Sequence, residues 1–215
     1  MFLETIVVGS LAVNCYIVGD QHTREVVVID PGDNAEKILD VIRRAMLTVK
    51  AIVNTHAHFD HVGAVEQVRQ ATRAPFMIHA DEVPVLASAQ MSGAMFGMRL
   101  TQPKPADQLL REGDEIKVGA VTFRVLHTPG HTPGGICLVA DKSVFVGDTL
   151  FQGSIGRTDF PGGDYGTLMA SIRDKLLPLP DDTVVYSGHG PATTIGEEKR
   201  FNPFVRQVMT GKWDV

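Results

Sequence analysis

Within the segment His56-Ala57-His58-Phe59-Asp60-His61 stand four side chains able to ligate a metal, and the apolar run Ala51-Ile52-Val53 leads almost directly into it. Side chains alternate along an extended chain, so His56 and His58 should point the same way and grip one cation. Asp60 and His61 follow where the chain turns into a helix, which would let them face a second cation close by. A solvated polar loop accounts well for a lone histidine; four donors in one short segment point to metal instead. Three further donors stand in Gly-rich turns beside predicted strands: His131 in Thr128-Pro129-Gly130-His131-Thr132, Asp148 in Val146-Gly147-Asp148-Thr149, and His189 in Ser187-Gly188-His189-Gly190. Small neighbours let the backbone approach a crowded centre without steric cost. Of the eight histidines, His22, His79 and His127 are left over. His79 and His127 could support the site from behind, but they are read here as polar groups satisfied within the fold.

These donors need elements to hold them. Short β-rich runs at 4–8, 14–18 and 25–29 predict an antiparallel meander. After Asp30-Pro31-Gly32 the spacing of Ile38, Val41, Ile42 and Ala45 predicts a helix, with Asn34 as its cap. Residues 51–54 then read as a buried strand, 55–61 as a polar loop and 62–71 as a second helix. The stretch 81–108 reads as a helix and connector, and its Met91, Met95 and Met98 as gap-filling core. Strands at 121–126, 135–139 and 143–146, a Gly-rich loop, a helix near 168–176 and a strand at 184–186 complete a second half. Asn202-Pro203, a cap followed by proline at the first helical position, predicts a last helix through Val205, Val208 and Met209. Two halves of sheet plus helices suggest sheet packed on sheet with helices outside.

At 215 residues, the chain is expected to form one domain, 1–215, with a large core. Its longest apolar stretches fall well short of a membrane span, and Met1-Phe2-Leu3-Glu4 opens with no basic run before an apolar segment, so no secretory signal is expected. A net charge of −5, from 20 Lys and Arg against 25 Asp and Glu, without a basic cluster, disfavours a nucleic-acid binder. Cys15 and Cys137 both lie inside apolar runs, the usual setting of a reduced, buried thiol, which points to the cytoplasm.

The constellation resembles the metallo-β-lactamase superfamily, whose His-x-His-x-Asp-His signature reads here as His56-Ala57-His58-Phe59-Asp60-His61. The resemblance continues, in family order, through Thr-Pro-Gly-His-Thr at 128–132, Gly-Asp at 147–148 and Gly-His-Gly-Pro at 188–191. It implies an α+β fold, a four-layer αβ/βα sandwich with two metals at the sheet edge. It further implies that His56, His58 and His131 hold the first metal, that Asp60, His61 and His189 hold the second, and that Asp148 bridges them. Imidazole and carboxylate ligation suits Zn(II), the expected ion, and also Fe or Mn. Two divalent cations against two carboxylates should acidify a bridging water, so a bridging hydroxide, oriented by Asp60, is the expected nucleophile.

Within the superfamily the chain looks most like short glyoxalase II-like hydrolases, which cleave acylglutathione thioesters such as S-lactoylglutathione. Arg157, in Gly156-Arg157-Thr158-Asp159-Phe160, then becomes the candidate substrate-binding cation, the alternative being an arginine that pins its own loop through Asp159 or Asp164. Asp159 and Gly190 stand where the family has tyrosines, and about twenty-five residues follow His189, so glutathione is expected to be gripped weakly. The Gly-Arg-Thr-Asp-Phe loop also resembles that of iron-dependent persulfide dioxygenases, the alternative activity. A β-lactamase and a non-catalytic metal-binding module are the remaining readings. The expected partner is a small-molecule thioester, with neither nucleic acid nor membrane.

Overall fold

In the computed structural model, which describes residues 1–211, β1 (Phe2–Val8), β2 (Val13–Gly19) and β3 (Glu25–Ile29) form the expected antiparallel meander. Helix α1 (Ala35–Arg44) then crosses to β4 (Thr48–Val53), parallel to β3. The short α2 (Phe59–Val62) and α3 (Val65–Thr72) lead to β5 (Phe76–His79), and α4 (Val83–Met95) leads to β6 (Gln108–Leu110). These strands make one six-stranded sheet in sequence order.

The second sheet takes β7 (Glu115–Val118), β8 (Val121–His127), β9 (Ile136–Ala140) and β10 (Ser143–Gly147). A small ribbon, β11 (Leu150–Phe151) with β12 (Ser154–Ile155), precedes α5 (Tyr165–Ser171), which runs on into a π-helical turn at Ile172–Leu176. Then come β13 (Val184–Ser187), β14 (Thr193–Thr194), α6 (Ile195–Phe201) and α7 (Pro203–Met209). The sheet order is β14-β13-β10-β9-β8-β7.

Period-two alternation dictates the layering. On β2 and β3, Cys15, Ile17, Val26 and Val28 pack into one apolar cluster with Ile38, Ile42, Val65 and Val68 of α1 and α3. Their alternate neighbours Tyr16, Val18, Val27 and Ile29 enter another, against Phe123, Val125, Leu138 and Phe145 of the second sheet. The far face of that sheet packs Cys137, Val144, Val146 and Val185 against Leu168, Ile172, Ile195 and Val205. A strand buried on both faces needs a cover on each, and the result is the four-layer αβ/βα sandwich.

Local chemistry explains where the sequence reading and the structure agree and differ. Asn202 caps α7 as expected, its Oδ1 accepting from Phe204 N at 3.0 Å and Val205 N at 3.3 Å. Asn34 precedes α1 but does not cap it: its backbone is left-handed, and its Oδ1 accepts instead from Gly9 N. The helix expected from residue 62 starts earlier, in α2, so Asp60 and His61 are helical. Met91 and Met95 do not fill the core; they are 70% and 82% exposed, because α4 buries the opposite side, Leu86, Ala89 and Gly93. Both cysteines are free and buried. Among the described residues no helix is long and apolar enough to cross a membrane.

Candidate metal centre

All seven expected donors meet at one edge of the sandwich, each carried on a turn or short helix that leaves a strand. His56, His58, Asp60 and His61 follow β4, His131 lies between β8 and β9, Asp148 follows β10, and His189 follows β13. His56, His58 and His131 place their donor atoms within 4.8 Å of one another, and so do Asp60, His61 and His189. Asp148 lies between the two trios. Its Oδ1 is 3.5 Å from His61 Nε2, and its Oδ2 is 3.7 Å from His131 Nε2 and 3.6 Å from His189 Nε2. His189 Nε2 also lies 3.5 Å from Asp60 Oδ2.

The donor set fits a pair of cations. Nε2 of His56, His61 and His131 and Oδ1 of Asp148 are buried with no hydrogen-bond partner, a costly arrangement unless something else binds them. Meanwhile four rings have their Nδ1 engaged. His56 Nδ1 meets Thr55 Oγ1 at 3.1 Å, His61 Nδ1 meets Asp30 Oδ2 at 3.1 Å, His131 Nδ1 meets the Arg157 carbonyl at 2.7 Å, and His189 Nδ1 meets the Leu11 carbonyl at 3.0 Å. Holding Nδ1 fixes each ring with Nε2 toward the centre, as a metal-ligating histidine requires.

Electrostatics sort the imidazoles. Burial pushes His56 and His131 below their usual value and His58 to about 3, with neighbouring histidines adding to the effect at His56 and His58. These three are neutral near pH 7, the form that ligates. Burial opposes charge on His61 and His189 as well, yet surrounding carboxylates raise both, His61 to about 10. The neighbouring carboxylates favour protons on these two rings and a bound cation would displace them, so metal uptake should release protons.

Several residues that position the donors escaped the sequence reading. Asp30, buried in the turn after β3, accepts from Thr55 N and Thr55 Oγ1, both at 2.7 Å, in addition to meeting His61. Asn14 of the first sheet donates to the carbonyls of Ser187 at 3.0 Å and Gly190 at 2.8 Å, and the Tyr16 hydroxyl also donates to Ser187 O, at 2.6 Å. The turn carrying His189 is therefore clamped from across the sandwich. Gly188 is required there, because a Cβ would strike Asp148 Oδ1 and the His61 ring.

Glu82, fully buried in the 3-10 turn before α4, accepts from Ala57 N at 2.7 Å and Gly134 N at 2.8 Å. One carboxylate thus ties the segment carrying His56 and His58 to the turn carrying His131. Glu82→Ala should cost about 2–5 kcal/mol, because it leaves two buried N–H groups unpaired, and should weaken metal retention. Urea unfolding and metal analysis check both, and unchanged values would show that the two segments hold their positions without this tie.

His79 and His127 lie apart from the donors and fit the satisfied-polar reading. Their rings stack at 4.0 Å, His79 Nδ1 accepts from Asp81 N, and His127 Nε2 meets the Pro133 carbonyl at 3.0 Å. Together with Asp81 they place ligand atoms within 4.8 Å of one another, but one nitrogen of each ring is already engaged.

Arg157 stands beside the donors and pairs with residues of its own loop. Its Nε and Nη2 donate to Asp159 at 2.8 and 2.6 Å, and its guanidinium lies 3.6 Å over the Phe160 ring. Its backbone carbonyl meets the centre at His131, and its charge acts on His58 only through space.

The sequence pattern of the metallo-beta-lactamase superfamily matches residues 8–189, spanning every donor. The chain belongs to this superfamily. Members of the metallo-beta-lactamase superfamily are mostly metal-dependent hydrolases, and similar proteins within it span several chemistries. The chain is 42% identical over 209 residues to hydroxyacylglutathione hydrolase GloC of Haemophilus influenzae, a match covering 95% of this chain and 98% of that protein. Among solved structures it resembles BLEG-1 B3 metallo-beta-lactamase at 44% identity and a TM-score of 0.89, over 95% of this chain and 99% of that one. It also resembles TTHA1623 in a di-iron-bound form at 41% identity and a TM-score of 0.87, over 94% and 99%.

Proposed function

We propose that the chain is a dinuclear-metal hydrolase of small-molecule thioesters, of the acylglutathione type. The observation carrying this reading is the set of buried, partnerless donor atoms, His56 Nε2, His61 Nε2, His131 Nε2 and Asp148 Oδ1, facing one centre. His56, His58 and His131 would hold one ion, Asp60, His61 and His189 the other, and Asp148 both. The imidazole and carboxylate set suits Zn(II) and equally admits Fe or Mn; the likeness to a di-iron-bound protein makes iron the rival ion. Two such ions, when bound, supply an acidified water and a Lewis acid for the carbonyl.

The protein's own residues supply orientation. Although burial opposes it, His61 and His189 hold the Asp60 carboxyl below the usual range, so Asp60 remains an ionised acceptor able to orient a water. Hydrolysis joins the water oxygen to the thioester carbonyl carbon and breaks the C–S bond. The thiol leaves with a proton, and a carboxylic acid remains. Similarity to a named hydroxyacylglutathione hydrolase over nearly the whole chain supports the thioester substrate. The buried free thiols accord with a reducing cytoplasm, and the acidic chain suits a small-molecule substrate rather than nucleic acid.

Parallel assay of the metal-loaded protein with S-lactoylglutathione, glutathione persulfide and a β-lactam tests the reading. Thioester hydrolysis should dominate. Oxygen uptake with the persulfide, or β-lactam opening at a higher kcat/KM, would replace it with dioxygenase or lactamase activity. We assign Arg157 to holding its loop, since Asp159 and Phe160 already occupy its guanidinium. Arg157→Ala in the same assay should lower kcat and thermal stability while changing KM by less than about threefold, since little uniform binding is lost. A large rise in KM alone would return Arg157 to substrate binding.

A further inference from the structure

A row of aromatic rings runs outward from the donor cluster. The His58 ring meets Phe160 edge to face at 5.7 Å, Phe160 meets Phe96 at 6.0 Å, and Phe96 stacks on Phe59 at 5.1 Å with 23° between planes. The row is built into the fold. Phe59 is buried in the core between α2 and α4, and Gly93 allows that close seating, because a Cβ there would lie 2.5 Å from Leu100 Cδ2 and 3.4 Å from Phe59 Cβ. Phe96, by contrast, is 55% exposed at the end of α4.

Phe96 is an exposed ring fixed to a buried one and joined through Phe160 to a ligand histidine, so the row offers apolar surface beside the donors. The flank offers little to an anion. Arg157 is already paired with Asp159 and lies over the Phe160 ring. On the other flank His189 meets the ring of Phe151 at 6.3 Å, so apolar groups border the donors there too.

We propose that Phe96 and Phe160 form an acyl subsite, so that the preferred substrates are thioesters of alkyl carboxylic acids rather than of short hydroxy acids. The proposal rests on the thioesterase reading above and adds the acyl specificity. Continuity with the ligand histidine assigns the surface to the acyl group: once the carbonyl carbon is at the metals, the chain it carries extends from that point along the nearest apolar wall. The thiol half then lies toward solvent, consistent with weak demands on the glutathione portion.

Each methylene resting on this wall should raise affinity by roughly threefold, close to the value for full burial of a CH2. Two series separate the subsite from the chemistry. Hydrolysis of S-lactoyl-, S-butyryl- and S-hexanoylglutathione by the metal-loaded protein should show kcat/KM rising with alkyl length. Calorimetric binding of S-methyl-, S-butyl- and S-hexylglutathione, thioethers that offer no carbonyl to hydrolyse, should show the same trend in Kd.

Phe96→Ala should flatten both trends and Phe96→Leu should largely restore them. Met46→Ala, another exposed apolar side chain, just before the opposite end of β4 from the donors, should leave them intact. A binding trend that depends on Phe96 without any thioester hydrolysis would keep the subsite and remove the thioesterase reading. Lactoyl hydrolysis with no length dependence in either series would do the reverse. A dimer in sedimentation that Phe96→Ala dissociates would assign the surface to a second copy of the chain and overturn the proposal.

Discussion

Asp148→Ala should abolish activity, by on the order of a thousandfold or more, and should lower metal content at both positions. The carboxylate is placed between the two trios, within 3.5 to 3.7 Å of Nε2 of His61, His131 and His189. Its removal would take a donor from each of two ions held there and with it the negative charge that would let two cations sit side by side. Asp60→Ala deletes a donor on one side only, leaving the His56, His58 and His131 trio intact, and should therefore cost less, by about an order of magnitude on the same scale. Steady-state kinetics with metal analysis of both variants decides the matter. Near-wild-type turnover and metal content in Asp148→Ala would eliminate a dinuclear mechanism.

Stripping metal with a chelator should bring activity to background and lower the melting temperature by about 10 °C. A ligand present at a thousand times its dissociation constant stabilises by about 4 kcal/mol, and each kcal/mol moves the melting point of a chain this size by about 2–4 °C. The partnerless Nε2 atoms and the charge confined on Asp60 and Asp148 are the physical source of that loss. Readdition of Zn(II) should restore both properties with a plateau at two ions per chain, measured by elemental analysis. A plateau at one ion with full activity would favour a mononuclear enzyme.

The donors themselves were legible in the sequence because ligation is dense and local: His56, His58, Asp60 and His61 announce themselves within one turn of chain. The layering was legible for a similar reason, since strands buried on both faces read as unbroken apolar runs. What surrounds the donors was not. Asp30, Glu82 and Asn14 act on groups 25 to 176 residues away, and an acid or amide in a turn carries no mark of a distant partner. Asp30-Pro31-Gly32 after a strand is the available hint, and its residue types are equally those of a turn. Arg157 shows the opposite case, because its type drew attention to its charge and gave no sign that its carbonyl reaches His131. The methionines of α4 misled because apolar residues run all around that helix, so spacing could not tell the buried side, with Leu86, Ala89 and Gly93, from the exposed one.

The clamp from Asn14 and Tyr16 onto the His189 turn joins residues 173 and 171 positions apart. On the ribosome, the strand that must hold the last donor is made near the beginning, and the turn it holds emerges near the end. The His56, His58 and His131 trio needs the chain as far as Arg157, whose carbonyl holds the His131 ring, whereas the second trio needs almost the whole chain. Loop closure over such a span is slow compared with local pairing. The long-range clamp makes completion of the second coordination site depend on segments that lie 173 residues apart in the chain.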